Sequence, residues 1–189
     1  IYLNSAAHTT HGIYIEFPKA CSFLHNSILL TGSSSYPSAL YWSVYSNDDF
    51  NATLMNNLLI TNNDGGTPYA IYLSGDYSSA YAHHYRIDYN NYYSSRTMGY
   101  SSTSFGYVGG TPYTALANWK SVVVTDSHSI SILPIFANIN TNLELTDYSL
   151  FFVPKINEVQ FDINGNYRTS ITMMGANTIL LSEGYNLEL

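Results

Sequence analysis

Two short phrases alternate along the first half of the chain, and a chain that repeats itself in this way has few architectures open to it. One phrase is led by asparagine: Asn26-Ser27-Ile28-Leu29-Leu30-Thr31, then Asn56-Asn57-Leu58-Leu59-Ile60-Thr61-Asn62-Asn63, then more loosely Asn90-Asn91-Tyr92-Tyr93-Ser94. The other has an aromatic centre: Ile13-Tyr14-Ile15, Leu40-Tyr41-Trp42 and Ile71-Tyr72-Leu73. The aromatic phrase returns after 27 and then 31 residues, the asparagine phrase after 30 and then 34. Periods of about 20–50 residues mark architectures in which each unit stacks on its neighbours. The unevenness implies that loops vary in length while strands keep their register.

Both phrases read as strands. Alternation places Ile13, Ile15, Leu40, Trp42, Ile71 and Leu73 on an inner face and Tyr14, Tyr41 and Tyr72 on the outer one. In the asparagine phrase, Ile28 and Leu30 are expected to join Leu58 and Ile60 in a second core strand. Pro18 ends the first aromatic strand, and Gly32-Ser33-Ser34-Ser35-Tyr36-Pro37 and Asn62-Asn63-Asp64-Gly65-Gly66 read as turns. Sandwiches and propellers need hairpins, yet two-residue Asn-Gly or Asp-Gly turns between paired strands are few. A parallel β-helix instead stacks like residues above like, about 4.8 Å apart. Asn26, Asn56 and Asn90 would then form a ladder of side-chain amides. The best helical pattern lies at 114–121, where Leu116, Trp119 and Lys120 recur on one side.

Composition narrows the class further. Six basic residues against 13 acidic ones leave a net charge of -7, with no basic stripe to neutralise phosphates, which argues against nucleic acid as a partner. Apolar residues are plentiful enough to argue against disorder. Tyrosine, with 19 copies against 8 Phe and 2 Trp, combines a strand-forming shape with a polar tip. Together with abundant Asn, Ser and Thr it suggests an extracellular or cell-surface β protein. The single Cys21 precludes an internal disulfide framework, and its apolar setting suggests an inert buried thiol. No apolar run is long enough to predict a membrane span. The chain opens directly on a strand-like Ile1-Tyr2-Leu3, so other segments of a longer chain are expected as neighbours.

Several phrases resemble those of right-handed parallel β-helix repeat proteins, many of them secreted by Bacteroidetes-type bacteria. The Asn-Asn-Ile/Leu strand phrases are similar to the coils of that group. Ile87-Asp88-Tyr89-Asn90-Asn91-Tyr92-Tyr93 resembles its last-coil phrase, as do Tyr113-Thr114-Ala115-Leu116-Ala117-Asn118-Trp119 and Asp126-Ser127-His128-Ser129-Ile130 with Pro134-Ile135-Phe136. Asp162-Ile163-Asn164-Gly165-Asn166-Tyr167-Arg168 followed by Met174-Gly175-Ala176 resembles the group's terminal Asp-x-Asp-Gly-x-x-Arg and Ile-Gly-Ala pattern, with Asn164 for Asp and Met173-Met174 for Asp-Ile. The resemblance implies a right-handed β-helix with a closing segment and secretion or surface display. It implies no single activity, because the fold carries lyases, hydrolases, adhesins and spikes.

Four sets of residues are candidates for chemistry. Tyr14, Tyr41 and Tyr72 would form a row of rings able to stack on the faces of a glycan, or simply to stabilise one another across strands. His83, His84 and Arg86 carry the residue types of a polysaccharide lyase, a base and a charge-neutralising cation; neighbouring histidines on a strand, however, point to opposite faces. Asp48 and Asp49 are adjacent carboxylates in a loop-like setting. Asp162, Asn164 and Asn166 have the alternate oxygen spacing that opens a Ca²⁺ loop, without the acidic residue that closes one. The alternative there is a structural turn in which Asp162 pairs with Arg168. No other cofactor motif is present.

The expected organisation is all-β: parallel β-helix coils over residues 1–109, an irregular closing segment over 110–176, and a tail or the start of a further module at 177–189. The expected function is a rigid scaffold or glycan- or partner-binding module without catalysis. The competing expectations are a polysaccharide lyase or glycoside hydrolase, and an adhesin or filament subunit.

Overall fold

A computed structural model of the chain describes residues 1–16, 20–44, 52–75, 85–95, 97–101, 111–140 and 142–178. The repeated phrases are strands, and each round of chain makes three. The first round runs through β1 (Tyr2–Ser5), β2 (Thr9–Glu16) and β3 (Ser22–Leu24). The second comprises β4 (Ser27–Gly32), β5 (Tyr36–Val44) and β6 (Ala52–Met55). The third comprises β7 (Leu58–Asn63), β8 (Tyr69–Gly75) and β9 (Tyr85–Asp88), and β10 (Asn91–Ser94) and β11 (Thr97–Ser101) open a fourth. Corresponding strands pair in parallel, in the orders β1-β4-β7-β10, β2-β5-β8-β11 and β3-β6-β9. The protein is therefore an all-β fold of parallel sheets, compatible with a β-solenoid.

The rest of the described chain is irregular. An antiparallel strand β12 (Thr111–Tyr113) flanks β11, and helix α1 (Leu116–Val122) follows where the periodicity at 114–121 predicts it. Two antiparallel pairs complete it: β13 (Phe136–Asn138) with β14 (Asn142–Leu145), and β15 (Phe152–Pro154) with β16 (Ile171–Met173).

In the aromatic phrase the register is the expected one. Ile13, Leu40 and Ile71 align, as do Ile15, Trp42 and Leu73, and all six pack in the core between the sheets. The asparagine phrase is corrected by one residue. Ile28 pairs with Leu59, not Leu58, and Leu29 pairs with Ile60. A one-residue shift sends a side chain to the opposite face of a strand. Ile28 and Leu59 therefore belong to the core between the sheets, whereas Leu29, Leu58 and Ile60 form a second core on the outer face of that sheet.

The same shift corrects the ladder, which runs through Asn26, Asn57 and Asn90. The backbone N–H and side-chain amide of Asn26 both donate to Asn57 Oδ1 at 2.9 Å. Those of Asn57 donate to Asn90 Oδ1 at 3.1 and 2.9 Å. The remaining amide hydrogens of Asn57 and Asn90 reach the carbonyls of Phe23 and Leu54, both at 2.9 Å. The residue before each ladder position is left-handed: His25 at φ 54°, Asn56 at 60° and Tyr89 at 54°. Asparagine tolerates that conformation best of the three, so Asn56 serves the corner rather than the ladder.

The second core is covered by Leu143, Leu145, Phe151, Val153, Met173 and Met174. Polar contacts hold this cover down. Gly175 N donates to Asn56 O at 2.7 Å, Ala176 N to Ser27 Oγ at 2.9 Å and Asn56 Nδ2 to Pro154 O at 2.9 Å. His25 lies beneath, only 4% exposed. Its Nδ1 lies 3.1 Å from the Met173 carbonyl and its Nε2 3.1 Å from the Asn56 amide, so a neutral ring with its proton on Nδ1 satisfies both. Burial, helped by the nearby Arg168 charge and opposed by the backbone contacts, lowers its pKa from 6.5 to about 3.

Two measurements check this account. Asn57→Ala, which breaks the ladder in the middle, is expected to cost roughly 2–4 kcal/mol in urea unfolding, and Asn26→Ala at the half-buried end clearly less. Because the folded His25 takes up a proton only near pH 3 while the unfolded one does so near 6.5, its neutral burial favours folding fully above pH 6.5. That advantage is lost as pH falls through the window to about 3, by an amount on the order of a few kcal/mol. His25→Asn keeps a residue suited to the corner and an amide donor, and should flatten stability against pH over that window.

Candidate binding groove

Tyrosines at the centre of the aromatic phrase stack from strand to strand as expected. Tyr14 and Tyr41 have ring centroids 4.8 Å apart at an interplanar angle of 11°, and Tyr41 and Tyr72 4.9 Å apart at 14°. Parallel strands fix this spacing, since neighbours in register lie about 4.8 Å apart. The consequence for binding is specific. Tyr41 turns one face toward Tyr14 and the other toward Tyr72, so it offers a ligand mainly its edge and hydroxyl.

A second column stands three residues earlier in each round: His11, Ser38 and Tyr69, which are themselves in register. Between the two columns lies a groove of about 310 Å³, lined by Thr9, His11, Tyr14, Tyr36, Ser38, Tyr41, Tyr69 and Tyr72. Tyr69 stands nearly perpendicular to Tyr72, with centroids 5.4 Å apart at 78°. Tyr36, packed edge-on against His8, is 53% exposed. These two rings stand outside the Tyr14–Tyr41–Tyr72 stack.

His11 is the polar centre of the groove. Its Nδ1 lies 2.5 Å from Ser38 Oγ, and its ring rests 5.3 Å from Tyr14 and 4.9 Å from Tyr41. Desolvation lowers its pKa below the ordinary value, so the imidazole is neutral at pH 7, one nitrogen engaged by Ser38. Among the described residues that line the groove there is no carboxylate, lysine or arginine. Glu16 accepts a bond from the Tyr14 hydroxyl beside it. The described lining residues can thus exchange hydrogen bonds and present apolar ring surface, and none of them is itself formally charged.

The other candidates lie elsewhere. Arg86 is exposed on β9, in register with Thr53 and on a different sheet from the tyrosine column. His83, His84, Asp48 and Asp49 fall outside the described residues. Asp162 sits in a structural turn. Its carboxylate accepts N–H bonds from Asn164, Asn166 and Thr178 at 2.7–2.9 Å and the Asn166 side-chain amide at 3.1 Å. Burial alone would raise its pKa, but these bonds hold it below the usual carboxylate value. Asn166 points a donor at the carboxylate, so it is oriented for the turn and not as a ligand oxygen toward Ca²⁺. Arg168, expected to pair with Asp162, instead donates to Thr172 Oγ1 and to the carbonyls of Met173, Gly175 and Ala176 at 2.9–3.2 Å. Among the described residues no cluster of three or more His, Cys, Asp or Glu is placed to hold a metal.

One further cluster joins Asp88, Tyr89 and His128. Asp88 Oδ2 lies 2.7 Å from His128 Nδ1, and the His128 ring stacks on Tyr89 at 4.6 Å and 5°. Ser127 Oγ approaches the same Nδ1 at 3.0 Å. A serine relay needs serine and carboxylate on opposite ring nitrogens, so this arrangement is not one.

Sequence reading found three residues of the groove and missed His11, Ser38, Tyr36, Tyr69 and Thr9. The constant offset of three residues from each ladder tyrosine would have exposed the second column. The closeness of the two columns could not be read, because it depends on how the strand bends. Compared with protein-family models, curated proteins and solved structures, the chain has no significant match.

A direct check on the groove is the titration of His11 followed by NMR of its ring nitrogens. Its pKa should fall below 6.5, and Ser38→Ala should change the ratio of its two neutral tautomers.

Proposed function

We propose that this chain is a right-handed parallel β-helix module of a secreted or cell-surface protein that binds a neutral glycan in the tyrosine groove. The observation that carries the reading is the groove itself: rings and hydroxyls arranged on a rigid parallel sheet, with a neutral imidazole at the centre. Sugars present apolar C–H faces and a rim of hydroxyls, and rings with polar tips match both. The absence of charged side chains among the described lining residues favours neutral over uronate-bearing chains. At about the lower end of ordinary ligand-site volumes, the groove suits one or two sugar units at a time. Three parallel sheets with strands stepping by one round support the solenoid part of the reading. The tyrosine-, asparagine- and serine-rich surface supports an extracellular setting.

The test is calorimetric titration of the chain with neutral oligosaccharides of gluco-, manno- and xylo-type, beside a uronate oligomer, with reducing ends monitored throughout. Binding of a neutral sugar, weakened about tenfold or more by Tyr69→Ala (about 1.4 kcal/mol) and left unchanged by Arg86→Ala, is the expected result. Preference for the uronate oligomer, or release of new reducing ends, would overturn the reading in favour of an enzyme.

A further inference from the structure

The two ends of the stacked rounds differ, and the difference points to a partner. At the far end the ladder is closed. Asn90 N donates to Ser129 Oγ at 2.7 Å, Ser129 bonds Asp126, and Trp119 Nε1 donates to the other Asp126 oxygen at 2.7 Å. Ile130 bonds the backbone of β10 on its open side, β12 flanks β11, and the fully buried Trp119 of α1 packs against Tyr92.

Nothing comparable closes the near end among the described residues. β1, β2 and β3 are all edge strands, each the last in its sheet on the same side. Burial falls off at this one round. Leu30 is 1% exposed but its partner Leu3 is 37% exposed. Leu40, Trp42 and Leu54 are buried, whereas Ile13, Ile15 and Phe23, their partners in register, are only partly so. The ladder also stops open. Asn26 donates to Asn57, yet its own Oδ1 accepts no hydrogen bond among the described residues. In the two rounds below, that same oxygen takes both a backbone N–H and a side-chain amide.

We infer that the end formed by β1, β2 and β3 is a docking surface for one more parallel β-coil, whose ladder asparagine bonds Asn26 and whose apolar residues cover Leu3, Ile13, Ile15 and Phe23. The surface exposed here is of the same kind as the one that round two already buries against round one. A second copy of the chain is a poor occupant. Stacked head to tail it would bring the far end, where the ladder is already closed by Ser129 and where β10 and β11 are already flanked by Ile130 and β12. Stacked head to head it would set one Asn26 oxygen against another. Tyr14, 53% exposed, would gain a neighbour, and the tyrosine groove would lengthen.

This inference rests on the solenoid half of the proposed function and is independent of glycan binding. The test places a copy of residues 28–58 ahead of Ile1, so that the copied ladder asparagine falls one round before Asn26. The expected result is a rise of several degrees in Tm, new hydrogen-exchange protection in β2 and β3, and a larger cost of Asn26→Ala in the extended chain than in the original. An unchanged Tm with the added residues cleaved by protease would overturn it, as would a stable dimer of the original chain closed through this end. Exchange protection of β4 and β7 in the original chain reports separately on whether the existing rounds stack, so failure of docking is distinguishable from failure of the solenoid.

Discussion

The bond on which most of this architecture depends is the one between the amides of Asn26, Asn57 and Asn90. A backbone that leaves one strand and enters the next must turn, and at each such corner the chain adopts a left-handed residue. That conformation turns the following backbone N–H away from ordinary strand pairing. The ladder asparagine of the next round repairs this, because its Oδ1 accepts both that N–H and the side-chain amide of the asparagine one round earlier. A buried donor left without a partner would cost about 1–3 kcal/mol, so the corner and the ladder require each other. Once they are in place, the register of every strand between them is set.

From that register follow the two faces of the sheet β1-β4-β7-β10. Its inner face joins the core between the parallel sheets through Ile28, Leu59 and Tyr92. Its outer face carries Leu29, Leu58 and Ile60, apolar enough to need a cover. The segment from Leu143 to Met174 supplies it, and the polar clasp of His25, Asn56 and Gly175 holds it at the corner. Gly175 is required there. Its φ is 83°, and a Cβ would stand 2.4 Å from Ser27 Oγ and 2.8 Å from Leu58 Cδ1. The Met173-Met174 departure from the resembled family's phrase falls in this contact, where flexible thioether chains fill an uneven apolar surface.

The groove is a by-product of the same order. Stacked rounds place tyrosine above tyrosine at a spacing close to ring–ring contact, which makes a rigid wall whose hydroxyls and edges face outward. Because Tyr41 at the centre of that wall uses both ring faces internally, recognition in the proposed glycan site falls to rings outside the stack, Tyr69 and Tyr36, and to the neutral His11.

Much of this was legible in the residues alone. Alternation in Ile13-Tyr14-Ile15 and its two relatives determined which side chains point inward and which tyrosines stack, because a strand has a period of two whatever surrounds it. The pattern at 114–121 located the helix for the equivalent reason. Tertiary structure decided what a local pattern cannot hold. Asn56 and Asn57 are the same residue type side by side, and only the left-handed corner shared with His25 and Tyr89 says which of them joins the ladder. The run Leu58-Leu59-Ile60 is apolar on both faces, so its pattern gives no direction; the cover contributed by residues more than 80 positions later settles it. The meeting of His11 with Ser38 likewise joins groups 27 positions apart in the chain. Distances of that kind are set by how the rounds stack and bend, a property of the assembled sheets and not of any one strand.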